Sequence, residues 1–318
     1  MKRVYITLGL LIVLFFIAFA WWKNGTSAVD SKNNSPKIFI VEQGQGVRAI
    51  AKNLKDQGLI KDPVVFFLLT KKLGIDSKIE AGDYRLFPSM SAFDIATGLT
   101  HGTLDIWITI PEGQRAAEIA EQLKAKMPNY DPSWDIALDE KEGYLFPDTY
   151  LLPKDADITI ITDIMRKNFD AKYETLDTSK TNLSKEEIVT LASLIEREAK
   201  HDADRPLVSS VINNRLGLGM KLDIDATLQY ILGYQEAEKR WWKKELTNND
   251  KTINSPYNTY RVSGLPPGPI SNPGLTSLEA AINPAKSDYL YYITDGNGIN
   301  HYAETFSQHE ANIEKYGL

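Results

Sequence analysis

The sequence contains no cysteine, which excludes disulfide bonds, cysteine-ligated zinc and thiol nucleophiles. Histidine is also scarce, and His301 and His309 do not form the His-Glu-x-x-His arrangement of zinc peptidases. We therefore predict neither a metal site nor a cofactor, and the roles of these two histidines stay open. Long blocks of lysine and arginine are absent and the net charge is −6, so no nucleic-acid-binding surface is expected.

What is present is ordinary globular material. Hydrophobic residues make up 43% of the chain and charged residues 25%, which argues against global disorder. A chain of 318 residues is long enough for two domains, each with its own core. Strand patterns and helix patterns occur in both halves, which favours an α+β fold.

The N-terminus carries the longest apolar run. Residues Val4 to Trp22 are uncharged and mostly apolar, and at about 1.5 Å per residue they match a hydrocarbon thickness of about 30 Å. Lys2 and Arg3 precede the run and favour a cytoplasmic N-terminus, which places the bulk of the chain outside the cytoplasm. The alternative is a cleaved signal peptide, because Ala18–Phe19–Ala20 is typical of a cleavage site. We favour a retained anchor, since the run is long and ends in tryptophans.

A unit of strand, glycine turn and helix occurs twice after a polar segment at 23–36. The first copy has a strand at Ile38–Val41 and an apolar helix face from Val47 to Leu54, and the second has Trp107–Ile110 and Ala116 to Leu123. Between them the patterns predict a helix, a strand and a second helix, at 64–69, 82–86 and 91–99. The first unit resembles the LysM module, which in its families binds glycan chains rich in N-acetylglucosamine. A purely structural domain is the alternative.

A helix predicted for Lys185–Ala199 carries two carboxylates with different surroundings. Its N-cap is Ser184, and an apolar stripe lies along one face, formed by Ile188, Leu191, Leu194 and Ile195. Glu198 falls inside this stripe, whereas Glu196 points to the opposite face and is expected to be a solvated surface charge. Apolar neighbours disfavour the anion and raise the pKa of Glu198, which suits a general acid. The alternative is a structural ion pair of Glu198 with a nearby base, namely Arg197, Lys200, Arg205 or Arg215.

The C-terminal part combines a stiff loop with a hairpin. A helix starts at Pro206, and residues 264–274 are too rich in proline and glycine for a helix or central strand, so this loop is predicted to wall a cleft. A short helix at 277–284 follows. Tyr289–Thr294 then reads as a strand, and Asp295–Gly296 offers a turn into a final strand near 301–304.

Several sequence blocks in this order resemble the MltG/YceG-like family of membrane-anchored endolytic murein transglycosylases. The blocks are "EG.LFPDTY" at 142–150, "LASLIEREA" at 191–199, "NNRL..GM.L..D.T" at 213–227, "YNTY...GLPPGPI..PG" at 257–274 and "NPA...YLYY" at 283–292. In that family the second acidic residue of the "E.E" pair is catalytic, and this position is Glu198 here. Three positions depart from the family pattern, with Asp223 in place of Gln, Ala226 in place of Pro and Tyr302 in place of Phe.

The resemblance implies a domain order, a reaction and a location. It divides the chain into a membrane anchor at 1–22, a polar tether at 23–36, a LysM-like α+β domain at 37–139 and a mixed α/β catalytic domain with a helical cleft at 140–318. It implies a lyase that cuts peptidoglycan glycan strands internally to give 1,6-anhydromuramoyl ends and so terminates strand elongation. The protein would lie in the cytoplasmic membrane with its bulk periplasmic, beside peptidoglycan synthases.

The remaining site residues are carried over from the motif blocks. Tyr257 and Asn258 are candidates for positioning the substrate, because "YN" resembles a motif of soluble lytic transglycosylases. Tyr260, Gln229 and Asp225 are candidates for the wall of the cleft. For each of these residues, the alternative is that it only holds its loop together.

Two further functions stay open at this point. A non-catalytic murein-binding or scaffold protein could use the LysM-like region beside an inactive lyase fold. A hydrolysing muramidase would need a second carboxylate, for which Asp225, Asp148 or Glu142 are candidates.

Overall fold

The computed structural model describes residues 2–100 and 105–316, and for residues 2–8 and 10–12 it describes the backbone alone. The chain divides into two compact units. The first comprises residues 1–106 with 153–155, and the second comprises residues 107–152 with 156–318. The sequence predicts a domain boundary at 139/140. In the structure the second unit already starts at Trp107, so the second copy of the strand-turn-helix unit belongs to it.

The first unit begins with a long helix and continues as a small α+β domain. Its elements are α1 (Lys2–Thr26), β1 (Lys37–Val41), α2 (Val47–Asp56), α3 (Pro63–Leu73), β2 (Gly82–Leu86) and α4 (Ala92–Gly98). Strands β1 and β2 are antiparallel, with Phe39 opposite Tyr84, and both side chains are fully buried. Helix α3 begins where Asp62 accepts hydrogen bonds from the backbone N–H groups of Val64 and Val65. The strands and helices predicted for this region are therefore present.

The segment predicted as a polar tether, 23–36, is tied to the rest of the first unit. Its first residues complete α1, which ends at Thr26. Further along, the N–H of Asp30 donates to the carbonyl of Pro88, and the N–H of Ser89 donates to the carbonyl of Asn33. Backbone hydrogen bonds of this kind hold in place a segment whose side chains alone predict only a flexible coil.

The predicted membrane anchor falls partly on residues whose side chains lie outside the described ones. Across the part of the chain that the structure does describe, no helix combines the length and apolar character needed to cross a membrane.

The second unit is built mainly of helices. Its elements are β3 (Asp105–Thr109, whose first two residues are counted with the first unit), α5 (Ala116–Lys126), α6 (Trp134–Asp139), β4 (Thr149–Pro153), α7 (Ile158–Tyr173), α8 (Lys185–Glu198), α9 (Arg205–Gly217), α10 (Asp225–Leu232), α11 (Leu275–Ile282), β5 (Tyr291–Thr294), β6 (Asn300–Ala303) and α12 (Phe306–Tyr316). Two short 3-10 helices lie at Thr178–Lys180 and Asp250–Thr252. Strand β3 pairs with β4, and β5 pairs antiparallel with β6. The sequence patterns did not predict α6, α7, α10, β4 or α12.

Helix α8 is the centre of the second unit. Ser184 and Glu187 form a capping box that fixes its first turn. All residues from Ile188 to Ile195 are buried, including the polar Thr190 and Ser193, because α9, α10 and α11 pack around the helix. The predicted single apolar stripe is therefore too narrow, since neighbouring helices also cover the other faces of α8.

The repeated strand-turn-helix unit is present in both places. Its turns contain Gly44 with φ of 79° and Gly113 with φ of 74°, a backbone region that L side chains rarely adopt. In the second copy, the N–H of Gly113 donates to the carbonyl of Asn272, and the N–H of Ala116 donates to the Glu142 carboxylate. These bonds explain why residues 107–139 belong with the C-terminal part of the chain.

Candidate active site

A cleft of about 730 Å³ lies in the second unit at the C-terminal end of α8. It is lined by charged, aromatic and apolar side chains from α8, α9, β5 and α12 and from the segments around residues 224, 251 and 260: Glu198, Val211, Ile212, Arg215, Leu222, Asp223, Ile224, Asp225, Lys251, Tyr260, Tyr291, Tyr292, Ile293, Thr294, Phe306 and His309. The lining combines carboxylates with aromatic rings, so the cleft suits a polar ligand with apolar faces, such as a sugar chain.

Glu198 is the last residue of α8 and lines the cleft half-buried. Burial raises the pKa of its carboxyl group, as the helical pattern predicted. A hydrogen bond from Tyr292 opposes this shift, the negative charge of Asp225 adds to it, and the N–H of Ala226 and the charge of Arg197 also oppose it. The group is thus a carboxylic acid that keeps its proton to a higher pH than an exposed glutamate and still reaches the cleft.

Tyr292 is the direct partner of this acid. Its hydroxyl donates to Oε2 of Glu198 over 2.7 Å. The tyrosine belongs to the "YLYY" block, but the sequence alone did not indicate it as a site residue. The two residues are separated by 94 positions in the sequence, and no local pattern in either element indicates that they meet.

Two of the predicted wall residues share the cleft with Glu198. The Tyr260 hydroxyl donates to Oδ1 of Asp225 over 2.6 Å, and both residues line the cleft. Asp225 is exposed and begins α10, so its carboxylate is open to a ligand. The structure therefore brings together three of the predicted site residues, namely Glu198, Asp225 and Tyr260.

The other three predicted residues are not among the residues that line the cleft. Asn258 is fully buried, and its amide donates to the carbonyls of Lys251 and Ile253. Gln229 donates to the carbonyl of Lys243 over 2.7 Å, and the ring of Tyr257 packs against another tyrosine. Through these contacts the three side chains hold loops of the second unit together. This is the structural role that the sequence left open as the alternative to substrate binding.

Residues 264–274 were predicted to wall the cleft, and none of them is among its lining residues in the described part of the chain. This loop instead packs on α8. The N–H of Ile270 donates to Oγ of Ser193 over 3.0 Å, and the hydroxyl of Ser271 donates to the carbonyl of Ser193. The loop therefore supports the helix that carries Glu198.

Glu196 was predicted to be a solvated surface charge, and this prediction is wrong. Its side chain is 6% exposed and lies 2.8 Å from Nη2 of Arg205, which is equally buried. Oε2 of Glu196 also accepts hydrogen bonds from the N–H of Gly274 and from the hydroxyl of Ser277. The first turn of α11 thus covers the face of α8 that the helical wheel left to solvent.

Glu142 and Asp148, the other candidate carboxylates, lie away from the cleft lining. Both Glu142 oxygens accept from the N–H of Ala116, and Oε1 also accepts from Nδ2 of Asn272 over 3.0 Å. Burial raises the pKa of Glu142 to about 8. Asp148 is exposed and accepts from Asn168. Of the three carboxylates considered for a second catalytic role, only Asp225 lines the cleft.

The described residues contain no group of three histidine, aspartate or glutamate side chains that could hold a metal ion. His301 lies 3.0 Å from Oδ2 of Asp295 and stacks on Tyr316. His309 lines the cleft and stacks on Tyr291, and burial lowers its pKa, so it is neutral at neutral pH. Structural contacts therefore account for His301, while His309 faces the ligand space.

Fold and site together define an α+β protein with a half-buried glutamic acid, Glu198, in an open cleft. The sequence profile of the YceG-like family matches residues 39–315. The chain belongs to this family.

Individual relatives match over most of this chain. The endolytic murein transglycosylase of Bacillus subtilis strain 168 is 33% identical, covering 94% of this chain and 90% of that protein. The endolytic murein transglycosylase of Streptococcus pneumoniae serotype 2 is 29% identical over 91% of this chain, which spans 60% of that protein's length. A crystal structure of a yceG-like protein from Listeria monocytogenes matches 87% of this chain and 100% of its own, at 30% identity and a TM-score of 0.57.

Proposed function

We propose that this protein is an endolytic peptidoglycan lytic transglycosylase. It cleaves the bond between N-acetylmuramic acid and N-acetylglucosamine inside a glycan strand and leaves a 1,6-anhydro end. The observation that carries this proposal is Glu198, a carboxyl group whose pKa is raised by burial and which lines an open cleft. The names of the relatives from Bacillus subtilis and Streptococcus pneumoniae support the same reaction.

The mechanism needs only one carboxyl group, because the attacking oxygen belongs to the substrate. Glu198 donates its proton to the glycosidic oxygen, and the bond from that oxygen to C1 of the muramoyl residue breaks. The C6 hydroxyl of the same muramoyl residue then attacks C1, and its proton passes to the Glu198 carboxylate. The acid is regenerated, and no water is consumed.

The remaining candidate residues have supporting roles in this proposal. Asp225 and Tyr260 contact the glycan along the cleft, and the carboxylate of Asp225 stabilises positive charge that develops on the sugar. Tyr257, Asn258 and Gln229 position the loops that carry these side chains. This division is supported by the hydrogen bonds from Tyr260 to Asp225 and from Asn258 to backbone carbonyls.

We also propose that residues 1–22 anchor the protein in the cytoplasmic membrane with its bulk outside. The support is the apolar run that follows Lys2 and Arg3. In that setting the enzyme acts on nascent strands beside peptidoglycan synthases. The strand, glycine turn and helix of the LysM-like region, 37–139, would contribute glycan binding.

The test is to incubate the full-length protein, purified in detergent, with uncrosslinked murein glycan strands and to weigh the products. A lyase gives anhydromuramoyl ends, and Glu198→Gln should lower the rate by about a hundredfold or more. Glu186→Gln, which removes an exposed carboxylate from the same helix, is the matched control and should keep the rate.

The same experiment separates the alternatives. A muramidase that uses Asp225 gives reducing ends heavier by one water than the anhydro product. A non-catalytic scaffold gives no product, and its binding of glycan is unaltered in Glu198→Gln. Either result, or full activity in Glu198→Gln, would contradict the proposal.

A further inference from the structure

Tyr292 reaches Glu198 from a different part of the second unit. It lies in β5, and its hydroxyl donates to Oε2 of Glu198 over 2.7 Å. Both side chains line the cleft. Any change in the protonation of Glu198 during the reaction therefore changes the strength of this hydrogen bond.

The strand that carries this tyrosine is held by contacts with β6 and with Arg215. Tyr292 is paired with Tyr302 in β6, and the hydroxyl of Tyr302 donates to Oδ1 of Asp204 over 2.9 Å. Next to the start of β5, Nε of Arg215 donates to the carbonyl of Leu290 over 2.6 Å. These contacts hold the strand and the neighbouring ring against which Tyr292 lies.

Tyr292 acts as a hydrogen-bond donor throughout the pH range in which Glu198 titrates. Burial and the charge of Glu198 raise the pKa of Tyr292 well above the ordinary value for tyrosine, so the phenol keeps its proton. A hydrogen bond from a neutral donor is stronger to a carboxylate than to a carboxylic acid. Its effect is thus greatest in the state that follows proton transfer to the leaving oxygen.

We infer that Tyr292 is a positioning residue for Glu198, which engages Oε2 so that Oε1 carries the transferable proton and which stabilises the carboxylate formed after the glycosidic bond breaks. The inference rests on the proposed lytic transglycosylase function. No proton is lost from Tyr292 in this scheme. The proton of Oε1 passes to the leaving glycosidic oxygen, and the proton of the C6 hydroxyl later replaces it.

The first experiment compares Tyr292→Phe with the unaltered full-length protein across a pH series, using glycan strands as substrate. Loss of the donor raises the pKa of Glu198, so the alkaline limb of kcat/KM should move to higher pH. The value of kcat should fall by roughly tenfold to a hundredfold with little change in KM, because the lost hydrogen bond strengthens during the reaction. A protein with only a structural tyrosine at this position would show no shift of the limb.

The matched control is Tyr289→Phe. This hydroxyl belongs to the same "YLYY" block, its ring stacks on Tyr302, and it is not among the residues that line the cleft. The pH profile of Tyr289→Phe should equal that of the unaltered protein. A shift of equal size in both variants would overturn the inference, because it would reflect loosening of the hairpin.

A second variant tests the inference without removing the hydroxyl. Replacing Tyr292 by 3-fluorotyrosine makes the phenol a stronger donor, so the alkaline limb should move to lower pH. Unchanged profiles in both Tyr292 variants would overturn the inference while leaving the proposed function intact. Failure of the unaltered protein to form anhydro products would instead contradict the proposed function.

Discussion

Glu196 and Glu198 lie two positions apart on the last turn of α8 and meet opposite surroundings. Glu196 is buried against Arg205 at 2.8 Å, whereas Glu198 lines the cleft and accepts the hydroxyl of Tyr292. The buried pair ties α8 to the beginning of α9 and, through Gly274 and Ser277, to α11. One carboxylate therefore fixes the end of the helix, and the other faces the cleft with Tyr292 as its hydrogen-bond partner.

Removing one partner of the buried pair should be strongly destabilising. We expect Arg205→Met to lower the free energy of unfolding by about 3–5 kcal/mol, because it leaves the buried carboxylate of Glu196 without its cationic partner. Glu196→Gln should cost less, because Arg205 keeps Asp202 and Glu112 as partners. The double variant should lose less than the sum of the two single losses. Urea unfolding provides the measurement. Asp56→Asn, which breaks the exposed pair with Lys52, is the control and should cost no more than about 1 kcal/mol.

The stability of the protein should depend on the protonation of Glu142. Its pKa in the folded state is about 8, against an ordinary value of 4.5, so the folded state binds this proton more tightly. The resulting stabilisation is complete below pH of about 4.5 and is lost as pH rises through about 8.

We therefore expect the unaltered protein to lose up to a few kcal/mol of stability over this interval relative to Glu142→Gln. Unfolding free energies measured in urea at several pH values give the two slopes. Parallel slopes for the two proteins would contradict the assignment of this titration to Glu142.

The alkaline limit of activity should respond to Asp225. The negative charge of Asp225 helps to raise the pKa of Glu198, so Asp225→Asn should lower that pKa and move the alkaline limb of kcat/KM to lower pH. Asp223→Asn is the comparison, because Asp223 lines the same cleft and is not among the groups that shift Glu198. Complete loss of activity in Asp225→Asn, with a hydrolytic product from the unaltered protein, would favour a muramidase.

Close packing should make Gly143 sensitive to a single methyl group. A Cβ atom at this position would lie 2.6 Å from Cβ of Pro269, and the residue has φ of 84°. Gly143→Ala should therefore cost several kcal/mol of unfolding free energy through strain and steric clash.

Gly264 separates these two contributions, because it has φ of 92° and an added Cβ atom would meet nothing within 4 Å. Gly264→Ala should cost only about 1–2 kcal/mol, the strain contribution alone. Thermal unfolding of both variants measures the difference. If both variants lose the same free energy of unfolding, the steric clash with Pro269 contributes nothing to the loss.

The sequence predicted most of the local structure around the site. The N-cap at Ser184 and the apolar spacing that follows it predicted α8 to within one residue of its end at Glu198. The Asp295–Gly296 turn predicted the hairpin of β5 and β6. These features depend on neighbours a few positions away, so a local pattern contains the necessary information.

The fate of individual polar groups could not be predicted in the same way. Asn258 is a candidate through its resemblance to a motif, and the structure shows it buried with its amide bonded to backbone carbonyls. Tyr292 is not a candidate on sequence grounds, although it touches Glu198. Both outcomes depend on which loop or strand packs against the residue in the folded protein, and a local sequence pattern does not contain this information.

The sequence by itself determined that a helix would end in a carboxyl group set among apolar residues, and it indicated the family. Hydrophobic periodicity and capping are short-range effects, and they act before the chain is packed. Only the tertiary structure decided that Arg205 would neutralise Glu196 and that Tyr292 would meet Glu198 from 94 positions away. Packing brings distant segments together, and the burial and hydrogen bonds that result shift the pKa of Glu198 and pair Glu196 with Arg205.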